Sequence, residues 1–331
     1  MHIPDGYLSP TTSFTLYTVC TPFLMKASRE AKKKLDSKTI PLISLFSALS
    51  FLIMMFNVPL PGGTTGHAVG TVISSIILGP WIGMLTTTVA LIIQALFFGD
   101  GGILTLGANI FNMAIVMALA GYAIFRFLAG WKKETGWKIV SAAVAGYIAI
   151  NLAALLAAVE LGIQPIIFRS ITGQPLYFPY GLTVSIPAMM LGHLTLAGLA
   201  EAFVTGLTLS WIYRTNPSLI TPDKKVAKSG RFFPLAIVII FLLILLTPLG
   251  LLTPGTAWGE WSRQQLSELG LGYIPAGFDR WTGLWSAPFS GYNFSVLGNS
   301  FLGYLFSGFL GVFIVVSVVY LLFKVFKLKN K

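Results

Sequence analysis

Apolar residues run along this chain in long blocks, and polar residues break them at short intervals. Nine blocks stand out, at about 10–25, 40–57, 68–78, 80–98, 103–125, 138–160, 181–213, 234–252 and 300–323, two of them short. A membrane-crossing helix takes roughly 20 mostly apolar residues, so the pattern predicts an all-α integral membrane protein. Gly79-Pro80 marks a break, and the third and fourth blocks are read as two helices; one kinked helix is the alternative. The block at 181–213 is too long for one simple crossing. Its first part is expected to be re-entrant or irregular and buried in protein. The first block is polar for lipid, with Thr11, Thr12, Ser13, Thr15, Thr18 and Thr21. Such a helix is expected to lie buried among others, with its hydroxyls bonded to carbonyls or partner side chains.

Charge decides the number of crossings. The stretches 26–38, 126–138, 214–231 and 324–331 hold all of the 22 Lys and Arg except Arg169, Arg263 and Arg280. With nine crossings the four basic stretches share one side and these three arginines the other. The positive-inside rule puts the basic side in the cytoplasm. The N-terminus and the 58–67, 161–180 and 253–299 loops then face outward, and the C-terminus is cytoplasmic. The expected location is the inner (plasma) membrane of a bacterium. Past Arg214, Pro217, Pro222, Lys224, Lys225 and Lys228 mark a linker. The expected division is a membrane unit at 1–213, a cytoplasmic linker at 214–233, and a two-helix unit at 234–331 around the outer loop 253–299. Trp258, Trp261, Trp281 and Trp285 in that loop are expected at the membrane–water boundary.

Composition agrees. Hydrophobic residues make up 55% of the 331 and charged residues 10%, with a mean hydropathy of +0.80; a soluble domain carries about 25% charge. The net charge of +11 does not imply nucleic acid, because the basic residues sit between apolar blocks. A single cysteine, Cys20, excludes an internal disulfide and a multi-thiolate metal site.

Candidate chemistry starts at residue 1. Met1-His2-Ile3-Pro4-Asp5-Gly6 offers a metal three nitrogens in a row: the α-amine of Met1, the amide of His2 and the imidazole of His2. They close a five-membered and then a six-membered ring in roughly one plane. A fourth nitrogen would complete a square, which suits Ni(II) or Cu(II), whereas Zn(II) prefers a tetrahedron. Met1 is expected to be retained because His2 is large, and the segment lacks the features of a secretory signal. The other histidines are His67 and His193. His67 ends the run Pro59-Leu60-Pro61-Gly62-Gly63-Thr64-Thr65-Gly66-His67, where prolines stiffen the chain and glycines admit close backbone approach. Standing alone, each histidine is an ordinary polar residue; the crossing count puts His2 and His67 on one side, and the pair favours a metal site. Asp5, Thr64 and Thr65 are candidates to orient an imidazole through its other nitrogen. His193 is a further supporting candidate. On an ideal helix Glu201 lies about 80° around and about 12 Å along from it, too far for both to hold one ion. Each is expected to face the bundle interior. Small residues four apart, such as Ser44 with Ala48 or Ala114 with Ala118, are expected to pack helices within this chain.

The start Met1 to Pro10, together with Pro61-Gly62-Gly63-Thr64-Thr65-Gly66-His67, resembles the CbiM/NikM family, the substrate-capture subunits of energy-coupling-factor transporters for cobalt and nickel. Gly107-Ala108-Asn109-Ile110-Phe111-Asn112-Met113 and Gly192-His193-Leu194-Thr195 are similar to family segments too. The likeness covers about residues 1–213. It implies a seven-helix substrate-binding bundle and a metal held by Met1, His2 and His67. From about residue 232 the chain is similar to the small two-helix accessory subunit (NikN/CbiN-like), here fused, although the Pro-Asp-Gly-Leu-Glu motif of that subunit is absent. The resemblance also implies partners: a membrane coupling subunit (CbiQ/NikQ-like) and cytoplasmic ATPases (CbiO/NikO-like).

The chain has no GxxxxGK[ST] and so no P-loop for ATP, and no HExxH of a zinc peptidase. The expected function is high-affinity uptake of Ni(II), captured at the outer face in a planar four-nitrogen site and passed inward by ATP-driven partners. Co(II) for cobalamin synthesis is the alternative cargo. A membrane metalloenzyme is a different class, but a catalytic metal needs an open position and a base. A structural subunit with incidental metal binding is the third reading.

Overall fold

The computed structural model describes residues 1–34, 36, 39–61, 64–220, 231–253 and 257–328. Lys38, Gly62, Gly63, Pro222, Lys224, Lys225, Lys228 and the 329–331 end of the tail lie outside the described residues, as does most of the expected linker. The first nine residues form turns, and all but Pro4 are buried. They are followed by α1 (Pro10–Lys34), α2 (Thr39–Met54), the strands β1 (Val58–Leu60) and β2 (Thr64–Gly66), and α3 (Thr71–Leu78). Four long apolar helices come next: α4 (Pro80–Phe98), α5 (Leu106–Ala129), α6 (Thr135–Ile167) and α7 (Leu182–Thr215). The last part holds α8 (Phe232–Leu252), the short α9 (Arg263–Glu268) and α10 (Ala276–Trp281), and α11 (Ser300–Leu328). Among the described residues six helices are long and apolar enough to cross a membrane: α4 to α8 and the first 23 residues of α11.

The expected all-α membrane bundle is present, with three changes. The first concerns α1, which was expected to be buried. Only Ser13, Cys20, Ala27 and Ala31 of it are buried, and Phe14, Val19 and Met25 face outward. As expected of its hydroxyls, Thr12 accepts from Gln164 on α6 (3.2 Å), and Thr15, Thr18 and Thr21 donate to the carbonyls of Thr11, Phe14 and Tyr17 (2.8, 2.8 and 2.9 Å). A threonine satisfied this way tolerates lipid, so its presence does not require a buried face.

The second change is at the third block. The break at Gly79 (φ +86°) is real, and Ser75 packs against Gly83 across it. But α3 has only 8 residues, about 12 Å of rise, far short of a hydrocarbon core of about 30 Å. Residues 67–70 supply irregular chain in its place. Such chain is tolerated at membrane depth only when its polar groups are satisfied by protein. Ser50 donates to the Val69 carbonyl (2.7 Å), and Glu201 accepts from the Val69 and Gly70 amides.

The third change is α7. It is one continuous helix of 34 residues, not a re-entrant piece followed by a crossing. It takes a widened π-helical turn at His193–Ala197, which hydropathy does not reveal. Two more π-helical stretches occur: Gln94–Phe98 ends α4, and Ile110–Val116 interrupts α5. Such turns often mark functional positions, and each of these leads toward the N-terminal segment.

The core is built on small residues. Ala142, Ala145, Ala149, Ala153, Ala154, Ala157 and Ala158 of α6 are fully buried, which lets α5 and α7 approach closely. The C-terminal helix α11 packs on α2, with Gly311 against the Phe51 ring, and Tyr304 donates to the Met55 carbonyl (3.2 Å).

Candidate metal centre

The N-terminal segment is threaded into the protein and tied down by α5 and the turn before it. Asn109 Oδ1 accepts from the Ile3 amide (2.8 Å), and Asn109 Nδ2 donates to the Ile3 carbonyl (3.2 Å). The Gly102 amide donates to that same carbonyl (3.0 Å). The Asp5 carboxylate accepts from the amides of Ile103 (3.0 Å) and Thr105 (3.1 Å). Farther along, the Ser9 amide donates to Gln164 (3.0 Å) on α6. A chain end is ordinarily loose unless fixed by contacts of this kind.

This docking brings His2 beside His67. His67 Nδ1 lies 3.1 Å from the Ala68 carbonyl, which only accepts, so Nδ1 carries the proton. The His67 Nε2 lone pair then points at His2 Nδ1, 3.1 Å away, with the ring centroids 4.9 Å apart. Met1, His2 and His67 are 4%, 3% and 6% exposed. Burial, reinforced by the Met1 ammonium, pushes His2 down to about 3. The same two causes hold His67 well below the ordinary imidazole value. Both rings are therefore neutral in neutral water, the form that binds metal.

Two carboxylates complete the cluster, and neither was among the expected residues. Asp100 Oδ1 is 3.2 Å from His2 Nδ1. Its Oδ2 accepts from the Tyr292 hydroxyl (2.6 Å), which itself accepts from Gln94 Nε2 (3.0 Å). Tyr292 has φ +57°, a left-handed conformation costly for a non-glycine residue and found mostly at functional positions. The Met1 ammonium donates to Glu260 Oε1 (3.4 Å). Burial pushes Glu260 up to about 7, the ammonium partly offsetting it. Both Glu260 and Tyr292 come from the segment between α8 and α11. A polar residue in a glycine run (Asp100) and a lone acid between tryptophans (Glu260) were the only sequence signals for them.

The supporting candidates are placed less simply. Asp5 holds backbone amides and does not orient an imidazole. Thr64, Thr65 and His193 line a cavity of about 10 Å³ with Met1, and the group that fixes the His67 ring is a carbonyl. His193 turns its Nδ1 to the Met189 carbonyl of its own helix (2.8 Å). Trp258 and Trp261 pack in an aromatic cluster with Phe178 (5.3 and 5.9 Å) over Tyr7. The Tyr7 hydroxyl donates to the Trp261 carbonyl (2.7 Å). Among the described residues no three His, Cys, Asp or Glu side chains converge on a metal-sized space.

Residues 2–219 match the family described as the cobalt uptake substrate-specific transmembrane region, CbiM. The fused nickel transport protein NikMN of Rhodobacter capsulatus is 43% identical over 332 residues, 96% of this chain and 95% of that protein. The probable fused nickel transport protein LarMN of Lactiplantibacillus plantarum is 44% identical over 81% of this chain and 80% of its own length. A crystal structure of a transition metal transporter superposes with a TM-score of 0.63 at 46% identity, covering 71% of this chain and 99% of that one. A family match over two thirds of the residues, extended by a relative similar along nearly the whole length, makes this chain a member of the CbiM family of membrane metal transporters.

Proposed function

We propose that this chain is the substrate-capturing subunit for uptake of Ni(II), which it binds as cargo through four nitrogens: the Met1 amine, the His2 amide, His2 Nδ1 and His67 Nε2. The observation that carries this is the 3.1 Å between His2 Nδ1 and His67 Nε2, beside a buried Met1. Donors about 2 Å from a metal at adjacent corners of a square lie about 2.8 Å apart. Asp100 and Glu260 stand against the His2 imidazole and the Met1 amine. Co(II) is the alternative cargo: the family description names cobalt, and both relatives are named for nickel.

In this reading residues 1–213 form the metal-binding unit, 214–233 a cytoplasmic linker and 234–331 a fused accessory unit. The N-terminus lies outside and the C-terminus inside a bacterial plasma membrane. A membrane coupling subunit and cytoplasmic ATPases drive the inward step. The outer loop 253–299 takes part in loading, a role supported by its contacts with Met1 and Asp100.

Titration of the purified protein with Ni(II) tests this. A yellow, diamagnetic 1:1 complex is expected, abolished in His2→Ala and weakened in His67→Ala, which keeps three of the four nitrogens. A complex of unchanged affinity in both variants would rule the site out.

A further inference from the structure

Glu201 sits in the middle of α7, fully buried, and forms no salt bridge among the described residues. A carboxylate in such a place is costly unless hydrogen bonds compensate it. Its donors come mainly from one short piece of chain. The Val69 amide donates to Oε2 (2.6 Å), and the Gly70 amide reaches both oxygens (3.1 and 3.2 Å). The Thr205 hydroxyl adds a fourth contact (3.4 Å). Val69 and Gly70 lie two and three residues past His67 and open α3, which has no side-chain cap of its own. Glu201 therefore caps α3 from another helix, with its charge at the favourable end of the helix dipole.

Two carbonyls of this turn are committed too. Ser50 holds the Val69 carbonyl, and the Ala68 carbonyl takes the His67 Nδ1 proton. The His67 ring thus depends on a stretch of irregular backbone whose Val69 and Gly70 amides end on one carboxylate.

We propose that Glu201 is the positioning residue for His67: it fixes the 67–70 turn so that Nε2 stands at the fourth corner before the metal arrives. This rests on the metal site proposed above and adds to it a residue that does not touch the ion.

The test is a double-mutant cycle on the purified full-length chain with Ni(II) alone as the probe. Glu201→Gln places an NH2 where a carboxylate oxygen faces a backbone N–H. We expect it to weaken Ni(II) binding by about tenfold or more and to shift the visible spectrum toward that of His67→Ala. In the His67→Ala background the same change should alter affinity by less than about twofold. Equal losses in both backgrounds would show a general structural role and overturn the proposal. So would unchanged binding in Glu201→Gln alongside a weakened His67→Ala. Equal binding by the unmodified protein and His67→Ala would instead sink the metal site itself, a distinguishable result. Should Glu201→Gln not fold, Glu201→Asp, which retracts the charge by one methylene, carries the same two predictions.

Discussion

His2 and His67 face each other as neutral imidazoles because burial and the neighbouring ammonium both oppose a proton on either ring. The sign of the pH dependence follows. The rings compete with protons for the metal only far below neutral pH, for His2 near 3. In the proposed chelate the protons that Ni(II) displaces come from the Met1 amine and the His2 amide, so affinity is expected to fall as pH falls. Calorimetry at pH 6 in buffers of different ionisation enthalpy should count close to two protons released per ion; a count near zero would exclude the amine–amide chelate. A second expectation concerns the same amine. One residue added before Met1 turns it into an amide, moves the ligand series out of register and should abolish the planar Ni(II) spectrum. An extended protein with an unaltered spectrum would contradict the chelate.

At the scale of elements, α3 shows what the irregular turn asks of its residues. Gly70 has φ +77°, and a Cβ there meets only Ile53 Cδ1, at 3.4 Å. The objection to a side chain is therefore conformational and not steric crowding. Gly70→Ala should cost about 1–2 kcal/mol, read as a lower thermal midpoint in detergent; an unchanged midpoint would mean that the turn relaxes freely. The breaks and lengths of most helices were legible because hydropathy reports them directly: nine blocks became nine helical segments, with the break at Gly79 where it was expected. Burial of α1 was not legible, since threonine hydroxyls bond within their own helix. Nor was the continuity of α7 through its π-helical turn, which hydropathy does not report. At the site, the nearness of His2 to His67 was legible, because both stand in short polar runs beside apolar blocks, and the two rings do meet (3.1 Å). Asp100, Glu201, Glu260 and Tyr292 were not, because each acts on a partner far away in the chain, and no local spacing encodes such a pairing.

For the whole molecule, the segment between α8 and α11 reaches the N-terminal pocket at several points. Glu260 meets Met1, Tyr292 meets Asp100, the Trp261 carbonyl receives the Tyr7 hydroxyl, and the Trp285 indole donates to the Leu96 carbonyl (2.9 Å). Deleting 232–331 removes all four contacts while leaving α1 to α7 intact. Nickel uptake by cells carrying the truncated chain together with the same partner subunits is expected to fall. Uptake at the full rate would show that the C-terminal part is dispensable for loading. These contacts also bear on gene dosage. A pocket whose two halves came from separate polypeptides would lose occupancy whenever one was made in shortfall. Joined in a single reading frame, the halves are produced in equal number, and the tether keeps each near its counterpart at a local concentration that no cellular expression level has to match.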